Sequence, residues 1–489
     1  MLNFKGKTLK VHFIASEAEP FVKVGGLGDY AGSLPLALKE LSANHIGQQI
    51  DIRLTIPFNR NIKFGNFPTK KIGDLKVKTE KGYSQGEAFF TSIDGLPCYF
   101  ISQNNPSYSE DAVYMVDPIK DGEKFVFFSL ASLELMRKIK WKADILHAND
   151  WHTSVAVYSL ALKRKNDLIL KHTKSLQIIH NLPFMGKGTQ PILKKYNLPS
   201  LENHDLPTWA RQIPLPLGLA KADEIVAVSP TYSREICTPA FGNGLENFLD
   251  KRKEKITGIL NGIDINKWNP AEDPFIENCY TSEKTQARKK NKQAIQSILS
   301  LDKDSDIPLL IMISRLEKQK GIDLIINGLR SIRELPWQAV LLGTGNVNLQ
   351  NACLTLQGDF PERVRAVTKF DEKLAHQLFS AGDILMMPSL YEPCGTSQMI
   401  AMRYGCITVA TAVGGLKDSI KNENDETRTG FLFEKPTVDS FTNCLRRALM
   451  LFNKKSLWQN IQKRAMREDF SWKKSAKKYL NIYVNLLKE

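Results

Sequence analysis

Residues 9–41, LKVHFIASEAEPFVKVGGLGDYAGSLPLALKEL, run from a short apolar stretch through a glycine-rich turn at 23–29 into a helical pattern of apolar residues. The stretch 9–16 reads as a strand, the glycines as a turn and the periodic remainder as a helix, which together open a βαβ unit. The same alternation of short apolar runs and amphipathic stretches recurs along the chain. In the first half the runs are DIRLTIP (51–57), CYFIS (98–102), DILHA (144–148), SLQIIH (175–180) and EIVAVS (224–229). In the second half they are PLLIMISR (308–315), QAVLLG (338–343), AGDILMMPS (381–389) and CITVATA (406–412). Runs of this kind are strands buried on both faces, so the expected fold is α/β, with two doubly wound, Rossmann-like domains in series.

A chain of 489 residues exceeds the size at which one core stops growing, which also argues for two domains. The polar segment 270–308, with the run ARKKNK at 287–292, shows no strand pattern and predicts a hinge or helical connection, with the change of domain just before it at 258–264. Residues 471–487 place Trp472, Ala476, Tyr479, Tyr483 and Leu486 at helical spacing behind Ser471, a good N-cap residue.

Composition narrows the function classes. No apolar stretch is long enough to span a bilayer, and the opening residues lack the continuous apolar core of a cleavable leader, so a cytoplasmic protein is expected. Seven scattered cysteines without C-x-x-C pairs suggest neither a disulfide framework nor a zinc site. The net charge of +15 attracts anions, but without zinc-finger spacing, an RNP-type motif or a basic heptad arm it does not point to nucleic acid.

Four constellations carry chemistry. Lys23, Gly25 and Gly26 stand at a strand-to-helix turn, where glycines admit a ligand close to the backbone and helix N–H groups attract an anion; the spacing is not the dinucleotide fingerprint. In SRLEKQKG, Arg315 ends a strand and Lys320 opens a helix, so both can meet a diphosphate and neutralise charge on a leaving group. Glu392 in YEPCGT follows another apolar strand, and Cys394, Gly395 and Thr396 behind it offer backbone N–H groups. His147 stands in DILHA and Asn149, Asp150, Trp151 and His152 follow it, and His180 and Asn181 follow SLQII. Each group would have a bland explanation alone, as a turn, a surface cation or a packed histidine. Their common placement at strand ends of open sheets favours a ligand site. A carboxylate pair of Asp150 and Glu392 would suit glycoside hydrolysis, but that leaves two phosphate-type turns unexplained. No metal motif is present.

KVGGLGD, HANDWH, IHNL, ADEIVAVSPTYSREI, LNGIDINKWNP, SRLEKQKG, SLYEPCGTSQMIAMRYG and VGGLKDSI, in this order and ending with DFSWKKSAKKY, resemble the bacterial glycogen synthase and plant starch synthase family over essentially the whole chain. The resemblance implies the GT-B fold, with two Rossmann-like domains facing a deep cleft. The domains would be 1–257, joined by the final helix 471–489, and 258–470. It implies retaining transfer of glucose from ADP-glucose, or alternatively UDP-glucose, to the non-reducing end of an α-1,4-glucan, with no cofactor or metal. Carried over, Lys23, Gly25 and Gly26 meet the diphosphate and glucose, and Arg315 and Lys320 stabilise the leaving diphosphate. His180 binds near the glucose 6-hydroxyl with Asn181 and Asp150, while Glu392 holds sugar hydroxyls. Cys394, Gly395 and Thr396 complete the cradle, and Phe370 stacks on the base. Two segments depart from the family pattern: HNLPFMG at 180–186 lacks the usual Gln, and PLPLGLAKAD at 214–223 lacks the lysine of the usual L-K-x-G motif, with Leu217 before Gly218. A different acceptor, or a non-catalytic glucan-binding paralogue, stays open on the sequence alone.

Overall fold

The computed structural model describes residues 8–44, 49–60, 62, 67–104, 112–424 and 426–488. Residues 1–7, part of the opening segment read above for a leader, and Glu489, the last residue of the expected final segment, lie outside that set. The chain divides into two units, Met1–Gly262 with Trp472–Glu489, and Ile263–Ser471. The sequence reading placed the change within 258–264 and drew the domain boundary at 257/258; the division falls inside that window, after β9 (Ile256–Gly258), which pairs with β8 (Glu224–Ala227) and closes the first unit's sheet.

In the first unit the remaining strands are β1 (Leu9–Ile14), β2 (Ile50–Pro57), β3 (Lys70–Thr79), β4 (Gly82–Ile93), β5 (Leu96–Gln103), β6 (Ile145–Asn149) and β7 (Lys174–Ile179). Their order in the sheet is β3-β4-β5-β2-β1-β6-β7-β8-β9. From β5 to β9 neighbours are parallel, whereas β3 and β4 are antiparallel additions at one edge. The second unit holds β10 (Leu309–Ile313), β11 (Gln338–Leu342), β12 (Val364–Val367), β13 (Ile384–Met387), β14 (Ile407–Thr411) and β15 (Gly430–Phe433), ordered β12-β11-β10-β13-β14-β15 and all parallel.

Each sheet has one place where the winding reverses. In the first unit β1 is flanked by β2 and β6, and in the second β10 is flanked by β11 and β13. Connections leaving the C-terminal ends of such a pair run to opposite faces of the sheet and leave a crevice there. The glycine turn follows β1 and Asp150 follows β6; Arg315 follows β10 and Glu392 follows β13. Both predicted sets therefore sit at a switch point.

The polar segment belongs to the second unit, and over part of its length it is helical, one of the two alternatives read from the sequence. Its helix Ala287–Ile298 buries Arg288, Asn291 and Lys292. Arg288 donates to the carbonyls of Tyr404 and Gly382, and Lys292 Nζ lies 2.6 Å from Asp383 Oδ2 and 2.9 Å from the Ser305 carbonyl. The final helix, Trp472–Leu486, belongs to the first unit and packs on the helix Gly26–Asn44. Ser471, expected to cap it, forms a β-bridge with Ile263.

Removing one partner of a buried pair strands the other charge, at a cost of about 3–5 kcal/mol. Lys292→Ala should lower the urea midpoint of the second unit accordingly. An unchanged midpoint would show that Asp383 is served well enough by the Leu309 N–H, 2.8 Å away.

Candidate active site

The first unit's set is built on three neighbouring strand ends, β1, β6 and β7. Asp150 opens the helix Asp150–Lys163 with φ of 52°, a left-handed backbone that turns the chain sharply out of β6. Its buried Oδ1 accepts from the N–H of His180 at 2.7 Å and of Asn181 at 3.3 Å, tying the loop after β7 to the end of β6. His180 Nε2 lies 2.9 Å from Asn149 Oδ1, and the Tyr30 ring meets the imidazole edge to face at 4.6 Å. Burial holds His180 down at about 3, so the ring is neutral near pH 7. The side-chain oxygen of Asn181 is buried and has no partner among the described residues. Behind Tyr30, a buried chain of bonds runs from its hydroxyl to His147 Nε2 at 2.9 Å and from His147 Nδ1 to the hydroxyl of Tyr483 on the final helix at 2.7 Å.

The glycine turn differs from the sequence reading in one respect. The N–H groups of Val24 and Gly25 donate to the carboxylate of Glu17, which is buried and also receives the Tyr114 hydroxyl at 3.1 Å. Two donors expected for an anion are thus taken by the protein itself, and the helix proper begins at Gly26. Burial pushes the Glu17 carboxyl up, against the pull of those donors. Glu17 and Tyr114 were missed as site residues. Glu17 was legible by the rule applied to Asp150, a carboxylate just past a strand end, whereas Tyr114 lies a hundred residues away on a connection without a pattern. Lys23 Nζ sits 2.5 Å from Asp29 and 3.5 Å from Glu19 with a third of its side chain exposed. Pairs this open are worth about 0–1 kcal/mol, so a phosphate can replace them at little cost.

In the second unit the loops after β10 and β13 are locked together. Gly321 has φ of 66°, and a side chain there would run into the Pro388 carbonyl. Gln319 accepts from Leu390 N at 2.8 Å through its carbonyl and donates to the Tyr391 carbonyl at 3.0 Å through its amide. The approach brings Lys320 Nζ within 2.6 Å of Glu392 Oε2, which also receives the Ser389 hydroxyl at 3.0 Å. Both charges of this pair are largely buried, with side-chain exposures of 16% and 6%. Gly395 has φ of 67°, and Gln398 Nε2 donates to the Cys394 and Gly395 carbonyls at 3.2 and 3.0 Å. That turns the segment so that Thr396 precedes the helix Ser397–Arg403. Arg315 is exposed, and among the described residues its ion-pair partner is neighbouring Glu317, at 2.5 Å. Phe370 is 82% exposed ahead of the helix Glu372–Ala381, an open position for an apolar ring.

The two departing segments have structural explanations. Leu217 lies in the helix Pro214–Lys221 and is wholly buried, with Gly218 packed against Ser154. In HNLPFMG, Met185 is buried, Phe184 is exposed, and Gly186 takes φ of 79° against the Trp151 ring. Among the described residues no group of three or more His, Cys, Asp or Glu is arranged to hold a metal ion, and no helix is long and apolar enough to cross a membrane.

Burial pushes the Asp150 carboxyl up to about 7, although its two N–H donors pull it down. Such a group costs the fold nothing below about pH 4, where it is protonated folded or unfolded, and its full penalty above about pH 7. Asp150→Asn keeps Oδ1 for both donors and removes the charge. Its stability relative to the parent should rise as pH is raised from about 4 to about 7 and then level off; a flat difference in urea midpoint across that range would overturn the assignment.

Comparison with known proteins agrees with this architecture. Residues 10–251 match the family described as starch synthase catalytic domain, and residues 295–464 match glycosyl transferases group 1. The chain is 36% identical to a glycogen synthase of Clostridium perfringens over 99% of both chains. It is 33% identical to one of Bacillus cereus, over 98% of this chain and 100% of that one. The solved catalytic domain of starch synthase IV from Arabidopsis thaliana, bound to ADP and acarbose, superposes with a TM-score of 0.88 at 30% identity, covering 98% of this chain and 99% of that one. A sucrose-phosphate synthase from Thermosynechococcus elongatus, with TM-score 0.61 and 16% identity, shares the fold. With two parallel-sheet units of the GT-B class and full-length similarity to these synthases, the chain belongs to the glycogen synthase and starch synthase family of glycosyltransferases.

Proposed function

We propose that the protein transfers glucose from ADP-glucose to the non-reducing end of an α-1,4-glucan, with retention of configuration and without a metal ion. The observation that carries this reading is the pair of Lys320 and Glu392, fixed 2.6 Å apart at the switch point of the second sheet. A cation and a largely buried carboxylate stand together there, at the place where an open α/β sheet receives a nucleotide. The starch synthase IV catalytic domain, similar along its whole length, was solved with ADP and acarbose bound, which supports a nucleotide sugar and a glucan as the ligands.

In this reading Arg315 and Lys320 bind the diphosphate, and Glu392 holds sugar hydroxyls with the backbone of Cys394, Gly395 and Thr396. Phe370 stacks on the base. Lys23 and the Gly25–Gly26 turn meet the diphosphate and glucose, with Lys23 exchanging Asp29 for phosphate. His180 binds the sugar near its 6-hydroxyl, and the orphaned oxygen of Asn181 accepts from the same ligand. The bond from the anomeric carbon to the phosphate oxygen breaks as the bond to the acceptor oxygen forms on the same face. The acceptor's proton passes to the departing phosphate, whose charge the two cations offset. They supply the positive charge a divalent ion would otherwise bring. All seven cysteines are free, which suits a reducing cytoplasm.

Transfer of labelled glucose from ADP-glucose into glycogen in the presence of a chelator tests the whole reading, with UDP-glucose run in parallel to rank the donors. Nucleotide release without labelled polymer would point to another acceptor, and silence with both donors would overturn the synthase. Arg315→Ala, at an exposed position that does not threaten the fold, should lower kcat by about 10²–10³, the usual cost of one charge contact made in the transition state. Phe370→Ala should raise KM for the donor several-fold with kcat kept, because stacking is worth about 1 kcal/mol and is present before and during transfer.

A further inference from the structure

Asn149 is the last residue of β6, beside β1 on one side and β7 on the other, and it bonds to both neighbours. Its Nδ2 donates to the Ile14 carbonyl at 2.9 Å, and its Oδ1 lies 2.9 Å from His180 Nε2. The first bond fixes the amide's orientation, since turning it over would set two acceptors against each other at Ile14. Its main chain is pinned as well, with Thr153 Oγ1 accepting from Asn149 N at 2.5 Å and donating to the Asn149 carbonyl at 2.8 Å. An amide oxygen only accepts, so the nitrogen facing it must carry the hydrogen. Among the described residues, His180 Nδ1 has no protein partner, and it is not a buried atom.

We infer that Asn149 is a positioning residue that fixes His180 as the Nε2–H tautomer, so that the ring offers Nδ1 to the bound sugar as a hydrogen-bond acceptor. The order of command runs from a main-chain carbonyl of β1, through the Asn149 amide, to the imidazole. Each step leaves one choice for the next. Tyr30, edge-on at 4.6 Å, keeps the ring from swinging away, and burial keeps it neutral, so Nδ1 retains its lone pair. A group held this way accepts from a hydroxyl and gains nothing from a substituent that cannot donate. The assignment of that hydroxyl to glucose rests on the proposed function, but the tautomer does not.

The test has two parts on the full-length protein. With ¹⁵N-labelled histidine, long-range correlation spectra, with His180 identified by signal loss in His180→Gln, should show hydrogen on Nε2 and a bare Nδ1. Asn149→Ala should give a mixture of tautomers. Hydrogen on Nδ1 in the parent, or an unaltered tautomer in Asn149→Ala, would overturn the inference; should the alanine variant fail to fold, the parent spectrum still decides. In transfer assays, ADP-6-deoxyglucose and ADP-6-deoxy-6-fluoroglucose should both lose about tenfold in kcat/KM, the worth of one neutral hydrogen bond, because neither can donate. A fluoro compound as good as glucose would mean the ring donates, which also overturns the inference. If no donor is turned over while the spectra show the Nε2–H form, it is the proposed function that fails.

Discussion

Parallel strands deliver all their C-terminal loops to one edge of a sheet, and everything chemical in this protein depends on that constraint. A right-handed connection carries each loop away over one face, and only where the strand order reverses do two loops part and leave room for a ligand. β1 and β6 part in the first unit, β10 and β13 in the second. Each crevice is then stiffened by a charge made to serve both of its walls or their neighbours: Asp150 joins the ends of β6 and β7, and Lys320 joins Glu392 across the ends of β10 and β13.

Glycines permit those approaches. At Gly321 and Gly414 the backbone takes positive φ, and a side chain at either would collide with the Pro388 or Glu392 carbonyl. The YEPCGT loop is therefore hemmed in by main chain on both sides, which explains why Glu392 can be buried yet aimed. The three cations of the proposed site each rest on a carboxylate of the protein: Lys23 on Asp29, Arg315 on Glu317 and Lys320 on Glu392. Only the last pair is buried, so the first two are the ones a phosphate can displace cheaply.

The strands with both faces covered were legible because burial on both faces writes an unbroken apolar run. β3 was not, since its solvent face carries Lys70, Lys76 and Lys78 and leaves a weak alternation at the sheet edge. The run ARKKNK misled in the other direction. It read as a polar connection, yet Lys292 and Arg288 find a carboxylate and two carbonyls inside the second unit, partners that lie about ninety to more than a hundred residues away and leave no local trace. Lys23, Asp150, His180, Lys320 and Glu392 were legible as strand-end residues. The duty of Asn149 was not, because an acceptor's function depends on which N–H it meets, and for Asn149 that is fixed only when β6 and β7 lie side by side.

The bond from His147 to Tyr483 joins the middle of the first sheet to a helix that follows the whole second unit in sequence. The first unit is therefore discontinuous in sequence, its aromatic core filled by Trp472, Tyr479 and Tyr483 from beyond the second unit. On the ribosome the order of completion is inverted: residues 263–471 emerge as a whole before the helix Trp472–Leu486, and the core of the first unit stays unsealed until that helix is released.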